Sequence, residues 1–376
     1  MSRARDLANL GSAYSGENSF YKRNLIINGE MKVSQRSTSA TGLGNSNGFN
    51  ALDRFGYFGS SSGRFTKSQE SITDLTGFSK ALKLTCTTAD TSIAASEYLH
   101  LNYGIEGQDM QKFQFNTANA RDMKLSFYVK GNASATYTFR AQTHPSGGTA
   151  RWFGKEFSVT TSWTRVEIDI PGDTDTSAGH GIDDNQNLGL QLIWYLHGGT
   201  NYSSGTFTES TWEDRDYTKA LGDNQTSFYD STSRTFFLTG VQLEMGNVAT
   251  AFEHEKFYET LKRCQRYFYQ IPASNAYTQF GSGQGFATNS GVIVIEAPCQ
   301  MRAVPSIVAS SSSSYAFFEA NAVTALGGGP SIDSGCGRTV LAITGTTSGG
   351  INIGDALNLI ANNDDEITLS FAAEIT

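Results

Sequence analysis

Four aspartates lie close together in one glycine- and threonine-rich segment of the chain. Asp173 and Asp175 come shortly after Pro171, and Asp183 and Asp184 follow a few residues later. Carboxylate oxygens on a loop are the hard ligands that Ca²⁺ prefers, and two carboxylates could also form the acid and base of a glycosidase. The same composition is typical of a solvated turn in an acidic protein. The solvated turn is therefore the preferred interpretation, with a calcium site at Asp173, Asp175, Asp183 and Asp184 and a glycosidase pair as the alternatives.

The tryptophans are the side chains best suited to stacking on a sugar ring. Trp194 is flanked by Leu and Ile, which predicts a place in the core, whereas Trp212 is flanked by polar residues, which predicts an exposed ring. Aromatic rings with nearby Asn and Asp are typical of sites that hold a polar ligand. We take Trp152, Trp163 and Trp212 as the candidate glycan-binding residues.

Other catalytic motifs in the sequence lack the structural context that their chemistry needs. Ser61 lies in Gly59–Gly63, which matches a nucleophile elbow, but no helix is expected after it. Gly42–Gly48 and Gly281–Gly285 lack the βαβ unit of a dinucleotide loop. The histidines are scattered, and no pair has the spacing of a zinc site. We therefore predict that the protein is not an enzyme.

Composition and charge exclude several classes of protein. The net charge is −8 and no basic run is present, which argues against nucleic acid as a partner. No segment is apolar enough to insert into a membrane, and no apolar stretch follows the first residues, so we expect no secretory signal. The cysteines fit no metal spacing, and we expect free thiols made in a reducing cytoplasm. They are Cys86, Cys264, Cys299 and Cys336.

The elements that must position these residues have the period of β-strands. In Lys124–Lys130, the apolar residues Leu125, Phe127 and Val129 alternate with others, which indicates a strand with one buried face. Further strands are predicted at Arg54–Phe58, Ala81–Cys86, Ala135–Ala141, Trp152–Val159, Arg165–Ile170, Leu188–Tyr195, Thr235–Glu244, Val292–Glu296 and Glu366–Phe371. Many short strands separated by Gly, Asn and Asp turns predict an all-β fold with a jelly-roll-type sandwich.

Two helical segments interrupt this pattern. Residues 1–22 begin with a short apolar-periodic segment that predicts a helical arm. Phe257, Leu261 and Cys264 share one face of a second helix, which predicts a connecting helix over 256–270. The sequence thus predicts an arm, a sandwich over 23–255, the connecting helix, and a smaller C-terminal β-domain over 271–376. The loops Ser310–Ser314 and Gly327–Gly329 lie in that last domain.

Several segments resemble a family of bacteriophage tail-fibre and related virion proteins. Asn24–Met31 is similar to the opening of that family's domain, and Asp53–Phe55 to its next signature. The longest match is Phe237–His254, followed by Cys264–Tyr267. Ala251 stands where the family usually has proline, which leaves the resemblance intact. Shorter matches occur at Phe127–Gly131, Pro171–Thr174, Met301–Pro305 and Ala373–Ile375.

The resemblance implies a jelly roll similar to carbohydrate-binding modules, a homotrimer, and a place in the virion as a fibre protein. It offers no catalytic residues to carry over. The segment Arg3–Gly11 is similar to one that precedes such domains, which implies attachment to other tail or capsid proteins. The residues expected to make that attachment are Arg3, Arg5, Leu7 and Leu10.

Three functions remain open from the sequence. The preferred hypothesis is a fibre that contacts a host-surface polysaccharide, with 271–376 as the candidate tip. The second is a purely structural tail adaptor, nozzle or capsid decoration protein. The third, a tailspike hydrolase, is disfavoured because no repeat period of a long parallel β-helix is visible.

Overall fold

The computed structural model describes residues 22–309 and 314–375. The attachment residues Arg3, Arg5, Leu7 and Leu10, and most of the Ser310–Ser314 loop, lie outside these residues. The described chain divides into two compact units. Unit 1 contains the described residues up to Lys32 together with Thr38–Glu255, and unit 2 contains Val33–Ser37 and the residues from Lys256 onward.

Unit 1 is built from eleven strands. They are β1 (Ser39–Gly48), β2 (Gly56–Ser71), β3 (Lys80–Thr88), β4 (Tyr98–Glu106), β5 (Met123–Gly131), β6 (Ala135–Thr143), β7 (Arg151–Val159), β8 (Thr164–Ile170), β9 (Leu188–Gly198), β10 (Trp212–Asp214) and β11 (Thr235–Met245). A short helix, α1 (Gly107–Met110), follows β4, and 3-10 turns occur at Gln111–Phe113, Thr200–Tyr202 and Tyr217–Lys219.

The strands of unit 1 form one hydrogen-bonded path that curls into two packed layers. Ten strands follow the path β10-β7-β6-β9-β4-β2-β3-β11-β5-β8, β1 pairs with β2 off this path, and every pairing is antiparallel. Rings from distant parts of the path meet in the core: Phe127 of β5 lies 5.8 Å from Trp194 of β9, and Tyr137 of β6 lies 5.7 Å from Phe236 of β11. The predicted all-β, sandwich-type fold is confirmed.

Alternation of side chains explains the inner face of this sandwich. Leu125, Phe127 and Val129 all point into the core, as the sequence predicts. On β9, however, both faces are buried. Leu192 and Trp194 belong to the main core, while Ile193 and Tyr195 belong to a second cluster on the outer face of the sheet.

Residues 199–222, here called the covering segment, bury that outer face. Ala220 and Leu221 pack with Trp152, Ile193 and Tyr195 in the second cluster. The segment is tied to the neighbouring chain by backbone hydrogen bonds, including one from the Gly199 amide to the Glu97 carbonyl at 2.8 Å. A sheet with apolar residues on both faces needs such a cover to exclude water.

Arg140 fastens the covering segment to the sheet. The side chain is 0% exposed, and its guanidinium lies 4.2 Å from the Trp152 ring centroid and 4.6 Å from that of Phe207. Its Nε donates to the Ala220 carbonyl at 3.2 Å, and Nη2 donates to the Lys219 carbonyl. The guanidinium therefore lies against one ring of the sheet and one ring of the segment, and it donates to two carbonyls of the segment.

Unit 2 contains the second described helix and a separate β-core. The helix is α2 (Phe257–Gln265), which is shorter than the predicted 256–270 because the chain re-enters a strand at Phe268. The strands are β12 (Phe268–Pro272), β13 (Gln279–Ala287), β14 (Ser290–Glu296), β15 (Ser306–Ala309), β16 (Tyr315–Glu319), β17 (Ala322–Ala325), β18 (Ser331–Ile332), β19 (Val340–Thr346), β20 (Ala356–Ala361) and β21 (Thr368–Ala372).

Two antiparallel sheets make up the core of unit 2. Their orders are β12-β21-β15 and β17-β16-β20-β13-β14-β19-β18. Buried side chains of both sheets, such as Phe317, Leu359 and Phe371, share one apolar cluster. The Tyr315 hydroxyl of the larger sheet donates to the Thr368 carbonyl of the smaller one at 2.7 Å. Neither described helix is long and apolar enough to cross a membrane.

We predict that Arg140→Ala lowers the free energy of unfolding by about 3 kcal/mol, because it leaves a cavity between two rings and removes the donors to two buried carbonyls. Arg215→Ala is the matched control. Its guanidinium lies 4.9 Å from the Tyr217 ring centroid but is exposed, so its loss should cost less than about 0.5 kcal/mol. Urea unfolding measures both values. Similar costs for the two variants would contradict the fastening role of Arg140.

Candidate functional site

Trp212 is not exposed, and the prediction from its polar neighbours was wrong. The ring is 9% exposed and packs edge-on to Phe115 at 5.5 Å, while its Nε1 donates to the Pro171 carbonyl at 2.6 Å. Trp212 belongs to a three-residue strand, where alternate side chains point to opposite faces. Its polar neighbours therefore face outward while the ring enters the core.

The other two candidate tryptophans have different surroundings. Trp152 is fully buried beneath the covering segment, so its ring is closed to a ligand in this structure. Trp163 is partly exposed; its Nε1 donates to the Asp74 carboxylate at 2.9 Å, and the Lys130 ammonium lies 5.0 Å from the ring. The Lys130 and Trp163 hydrogen bonds lower the pKa of Asp74. Trp194 lies in the core, as predicted.

The first two aspartates of the acidic segment are held by an arginine. Arg151 of β7 donates to both oxygens of Asp173, at 2.6 and 3.2 Å, and its Nη1 lies 3.1 Å from Asp175 and 2.9 Å from Asp214. Asp173 is buried in this bidentate pair. Hydrogen bonds from Ser177 lower the pKa of Asp175 to about 2. A guanidinium already neutralises this part of the segment.

Asp183 and Asp184 are exposed and do not complete a ligand set with Asp173 and Asp175. Within residues 22–309 and 314–375, these four aspartates contribute to no group of three whose ligand atoms are close enough to share an ion. The structure therefore does not assemble the predicted calcium ligands.

A row of aromatic rings crosses the outer face of the sheet beside the covering segment. Phe58 of β2, His100 of β4 and Tyr195 of β9 are directly paired across neighbouring strands. Phe58 stacks on His100 at 5.4 Å, and Tyr98 also stacks on His100, at 5.8 Å. Tyr202 of the covering segment contacts Tyr98 at 5.3 Å. We call Phe58, Tyr98, His100 and Tyr202 the aromatic row; all four are partly exposed.

Asn102 lies next to the aromatic row with an unsatisfied amide. It occupies the outer face of β4, two residues after His100, between Gly56 and Ile193 on the neighbouring strands. The side chain is 0% exposed, and neither its Oδ1 nor its Nδ2 has a hydrogen-bond partner. Buried polar atoms are almost always paired, so an amide with two unpaired atoms calls for a ligand or a water.

Two histidines of this face are held neutral. Burial lowers the pKa of His100 to about 4. Burial also lowers the pKa of His144 to about 4, and its Nε2 contacts the Gln142 amide at 2.9 Å. At neutral pH the aromatic row and its surroundings therefore carry no cationic imidazole.

A polar cluster, called here the carboxylate–histidine cluster, joins two carboxylates and an imidazole near the end of β9. The ligand atoms of Asp90, Glu97 and His197 all lie within 4.8 Å of one another, and the three side chains are buried. Backbone amides hold the carboxylates: Ser62 N donates to Glu97 Oε1 at 3.0 Å, and Ser92 N donates to Asp90 Oδ1 at 3.1 Å. The structure identifies this carboxylate–histidine cluster, which sequence inspection missed.

Ser61 contributes to the same cluster as a structural residue. It lies within β2, is buried, and donates from its hydroxyl to Asp90 Oδ2 at 3.2 Å. The strand continues through Ser61 without a turn into a helix, so the nucleophile-elbow geometry is absent at this position. His197 is placed through its other nitrogen, since Nδ1 is hydrogen-bonded to Ser227 Oγ at 2.8 Å.

One cavity lies at the end of unit 1, where the acidic segment meets the turn after α1. Its volume is about 330 Å³. Met110, Phe115 and Ile182 supply apolar lining, and Gln111 and Gln114 supply amides. Cavities of this size are at the lower end of those that hold small ligands. Its described lining contains no titratable side chain, so it offers shape and amide groups rather than acid–base chemistry.

Comparisons with known proteins give weak likenesses only. No family model matches the sequence, and a search of curated proteins finds no match. Among solved structures, the tailspike protein 4 enzymatically active domain of bacteriophage CBA120 is similar at 10% identity and a TM-score of 0.31, over 59% of this chain and 21% of that one. The chain thus spans about a fifth of that tailspike.

Two sugar-related proteins are similar to the same extent. The family 11 carbohydrate-binding module of Clostridium thermocellum, in complex with a mixed-linked tetrasaccharide, has 10% identity and a TM-score of 0.29, over 58% of this chain and 99% of that one. A putative sugar binding protein of Bacteroides thetaiotaomicron has 12% identity and a TM-score of 0.30, over 59% and 100%. Likenesses at this level support no functional argument, and the fold class rests on the strand topology itself.

We predict that the protein loses stability as the pH falls from 7 to 5. Unfolded histidine takes up a proton near pH 6.5, whereas His100 and His144 do so only near pH 4, so acid favours the unfolded state. Each should contribute roughly 1 to 2 kcal/mol over this range. Carboxylates with lowered pKa values lose their contribution only below about pH 4, so they do not obscure the effect.

Urea unfolding at several pH values measures this dependence. The double variant His100→Gln/His144→Gln should show a flatter slope between pH 7 and 5. An unchanged slope in that variant would assign the dependence to other groups.

Proposed function

We propose that this protein is a structural and adhesive component of a phage fibre that binds a host-surface polysaccharide through the aromatic row. The observation that carries the proposal is a set of partly exposed, stacked rings on one face of the sheet. Sugars present C–H faces that stack on aromatic rings. The aromatic row supplies this kind of contact.

The charge and shape of this face favour a neutral ligand over an ionic one. His100 is uncharged at neutral pH. Arg140 pairs with Ile193 on the neighbouring strand, but its cation is enclosed beneath the covering segment. The face is a shallow surface, so we expect weak binding at each site, on the order of 4–6 kcal/mol. Several linked copies would raise the apparent affinity by roughly 10² or more.

The place in a virion is proposed from the sequence resemblance. The segments Asn24–Met31 and Phe237–His254, which carry it, meet in unit 1: the Leu25 amide donates to the Leu243 carbonyl at 3.1 Å, and Asn24 Nδ2 donates to the Val241 carbonyl at 3.2 Å. These two hydrogen bonds join the first and last segments of the sandwich. The N-terminal arm would attach the protein to other tail or capsid proteins.

We propose that the protein binds polysaccharide without cutting it. The carboxylates of the acidic segment that are closest in sequence, Asp173 and Asp175, both pair with Arg151. A glycosidase needs one carboxyl group that holds a proton near neutral pH, whereas the pKa of Asp175 is lowered to about 2. A purely structural role, as an adaptor or decoration protein, is the alternative that the experiments below address.

We also propose that the protein is a homotrimer. Ten of the thirteen large apolar side chains that are exposed in the described residues belong to unit 2, including Val294, Val340 and Ile353. Exposed apolar side chains in this number favour a protein–protein contact in unit 2. Association of copies through unit 2 would cover it.

We predict that Phe58→Ala weakens adsorption to bacterial surface polysaccharide by about tenfold or more, because it removes a stacking surface of the aromatic row. Asn102→Leu removes a buried amide that has no hydrogen-bond partner, so it should leave binding unchanged and leave stability unchanged or raised. Binding is measured on an array of bacterial capsular and O-antigen polysaccharides, with release of reducing sugar measured in parallel.

Trp163→Ala is the matched control, because Trp163 is a partly exposed ring in the turn before β8, a strand several places away from β2 and β4 in the strand order. Its binding should equal that of the native protein. Loss of binding in Trp163→Ala alone would move the site to that tryptophan. Failure of the native protein to bind any polysaccharide would favour the purely structural role, and release of reducing sugar would favour the hydrolase.

We predict that light scattering on the purified chain gives about three times the subunit mass of 40.7 kDa. Val294→Asp with Ile353→Asp places two charges on the exposed apolar surface of unit 2 and should shift the mass toward that of the monomer. A native protein that remains monomeric at micromolar concentration would contradict the trimer.

A further inference from the structure

We propose that Asp90, Glu97 and His197 bind a divalent transition-metal ion, with Zn²⁺ or Mn²⁺ as the fitting ions. The site is distinct from the aromatic row and does not depend on polysaccharide binding. It rests on the position of three ligand atoms within 4.8 Å of one another in the interior of unit 1.

The two carboxylates of the cluster have no basic partner. Asp90 is 6% exposed and Glu97 is 8% exposed, and within residues 22–309 and 314–375 no Lys or Arg forms an ion pair with either. Burying two carboxylates side by side without a cation is unfavourable, because each loses hydration and the two repel each other. A divalent ion would neutralise both charges at once.

The imidazole of His197 provides an independent indication of a ligand. His197 is 0% exposed, and its Nε2 has no hydrogen-bond partner although it lies 3.7 Å from Glu97 Oε2. That separation is too long for a hydrogen bond and leaves space between the nitrogen and the oxygen. A metal ion bound to both atoms would occupy such a space.

The surroundings fix all three side chains in the manner of a metal site. Ser227 Oγ holds Nδ1 of His197, so Nε2 is the nitrogen that faces the carboxylates. Glu97 accepts from the Ser62 and Ala94 amides, at 3.0 and 3.2 Å. Asp90 accepts from Ser61 Oγ at 3.2 Å. Partners of this kind orient ligands and strengthen binding.

The ligand set selects among ions. Two carboxylates and one imidazole combine oxygen donors with a nitrogen donor, which suits Zn²⁺ or Mn²⁺. Ca²⁺ and Mg²⁺ prefer oxygen ligands alone, so His197 argues against them. The absence of a thiolate among the three ligands argues against Cu⁺, because that ion prefers sulfur.

The full-length native protein provides the first test. After treatment with a chelator and dialysis, it should bind about one equivalent of Zn²⁺ or Mn²⁺ per chain by calorimetry, and the ion should raise its unfolding temperature. With Mn²⁺ bound, pulsed electron paramagnetic resonance should detect one imidazole nitrogen coupled to the metal. This measurement needs no variant, so it remains decisive if the variants fail to fold.

His197→Gln and Glu97→Gln should each weaken metal binding by about tenfold or more, and His197→Gln should abolish the nitrogen coupling. His144→Gln is the matched control, because His144 is an inward-placed histidine outside the cluster, bonded to Gln142 and Gln191. It should retain both the affinity and the coupling.

Three outcomes would overturn the proposal. The first is a folded native protein that binds neither Zn²⁺ nor Mn²⁺ at millimolar concentration, which would assign the space to a water or a shared proton. The second is binding without nitrogen coupling. The third is binding of Ca²⁺ alone that His197→Gln does not change.

Discussion

Arg140 is the residue on which the outer face of the large sheet depends. The strands of unit 1 carry apolar side chains on both faces, and the sandwich core covers only one of them. The other face is stable only if residues 199–222 lie on it, so that segment must be attached to the sheet. A buried guanidinium solves this by stacking on Trp152 and Phe207 while donating to the carbonyls of Lys219 and Ala220. Its burial lowers the pKa of Arg140 to about 10, which still leaves it charged at neutral pH.

The position of Arg140 divides the sheet face into a closed part and an accessible part. The closed part lies over β6, β7 and half of β9, where Trp152 and Ile193 are buried. The accessible part lies over β2 and β4, where Phe58 and His100 remain partly exposed. Because Tyr202 belongs to the covering segment and contacts Tyr98, the segment also forms one wall of the aromatic row. The same cover that completes the core thus sets where a ligand could approach the sheet.

The sequence predicted the sandwich because alternation in a strand is a local property. It could not predict the burial of Trp212, because the polar residues on either side of it indicate exposure, whereas a strand sends them and the ring to opposite faces. The grouping of Asp90 and Glu97 with His197 was equally hidden. A hundred residues separate Glu97 from His197, and only the pairing of β4 with β9 brings them together. In the acidic segment, by contrast, Asp173 and Asp175 are close in sequence and both face Arg151.

The carboxylate–histidine cluster and the aromatic row are joined through consecutive residues. Glu97 directly precedes Tyr98, and His197 directly precedes Gly198, the residue paired with Tyr98 across the two strands. The Gly199 amide also donates to the Glu97 carbonyl, which links the start of β4 to the covering segment. Repulsion between Asp90 and Glu97 would therefore act on the backbone that positions Tyr98 and Tyr202. An ion between the carboxylates would remove that repulsion and fix this end of the row. The proposed metal site and the proposed polysaccharide site use separate side chains, and the backbone between them would couple the first to the second.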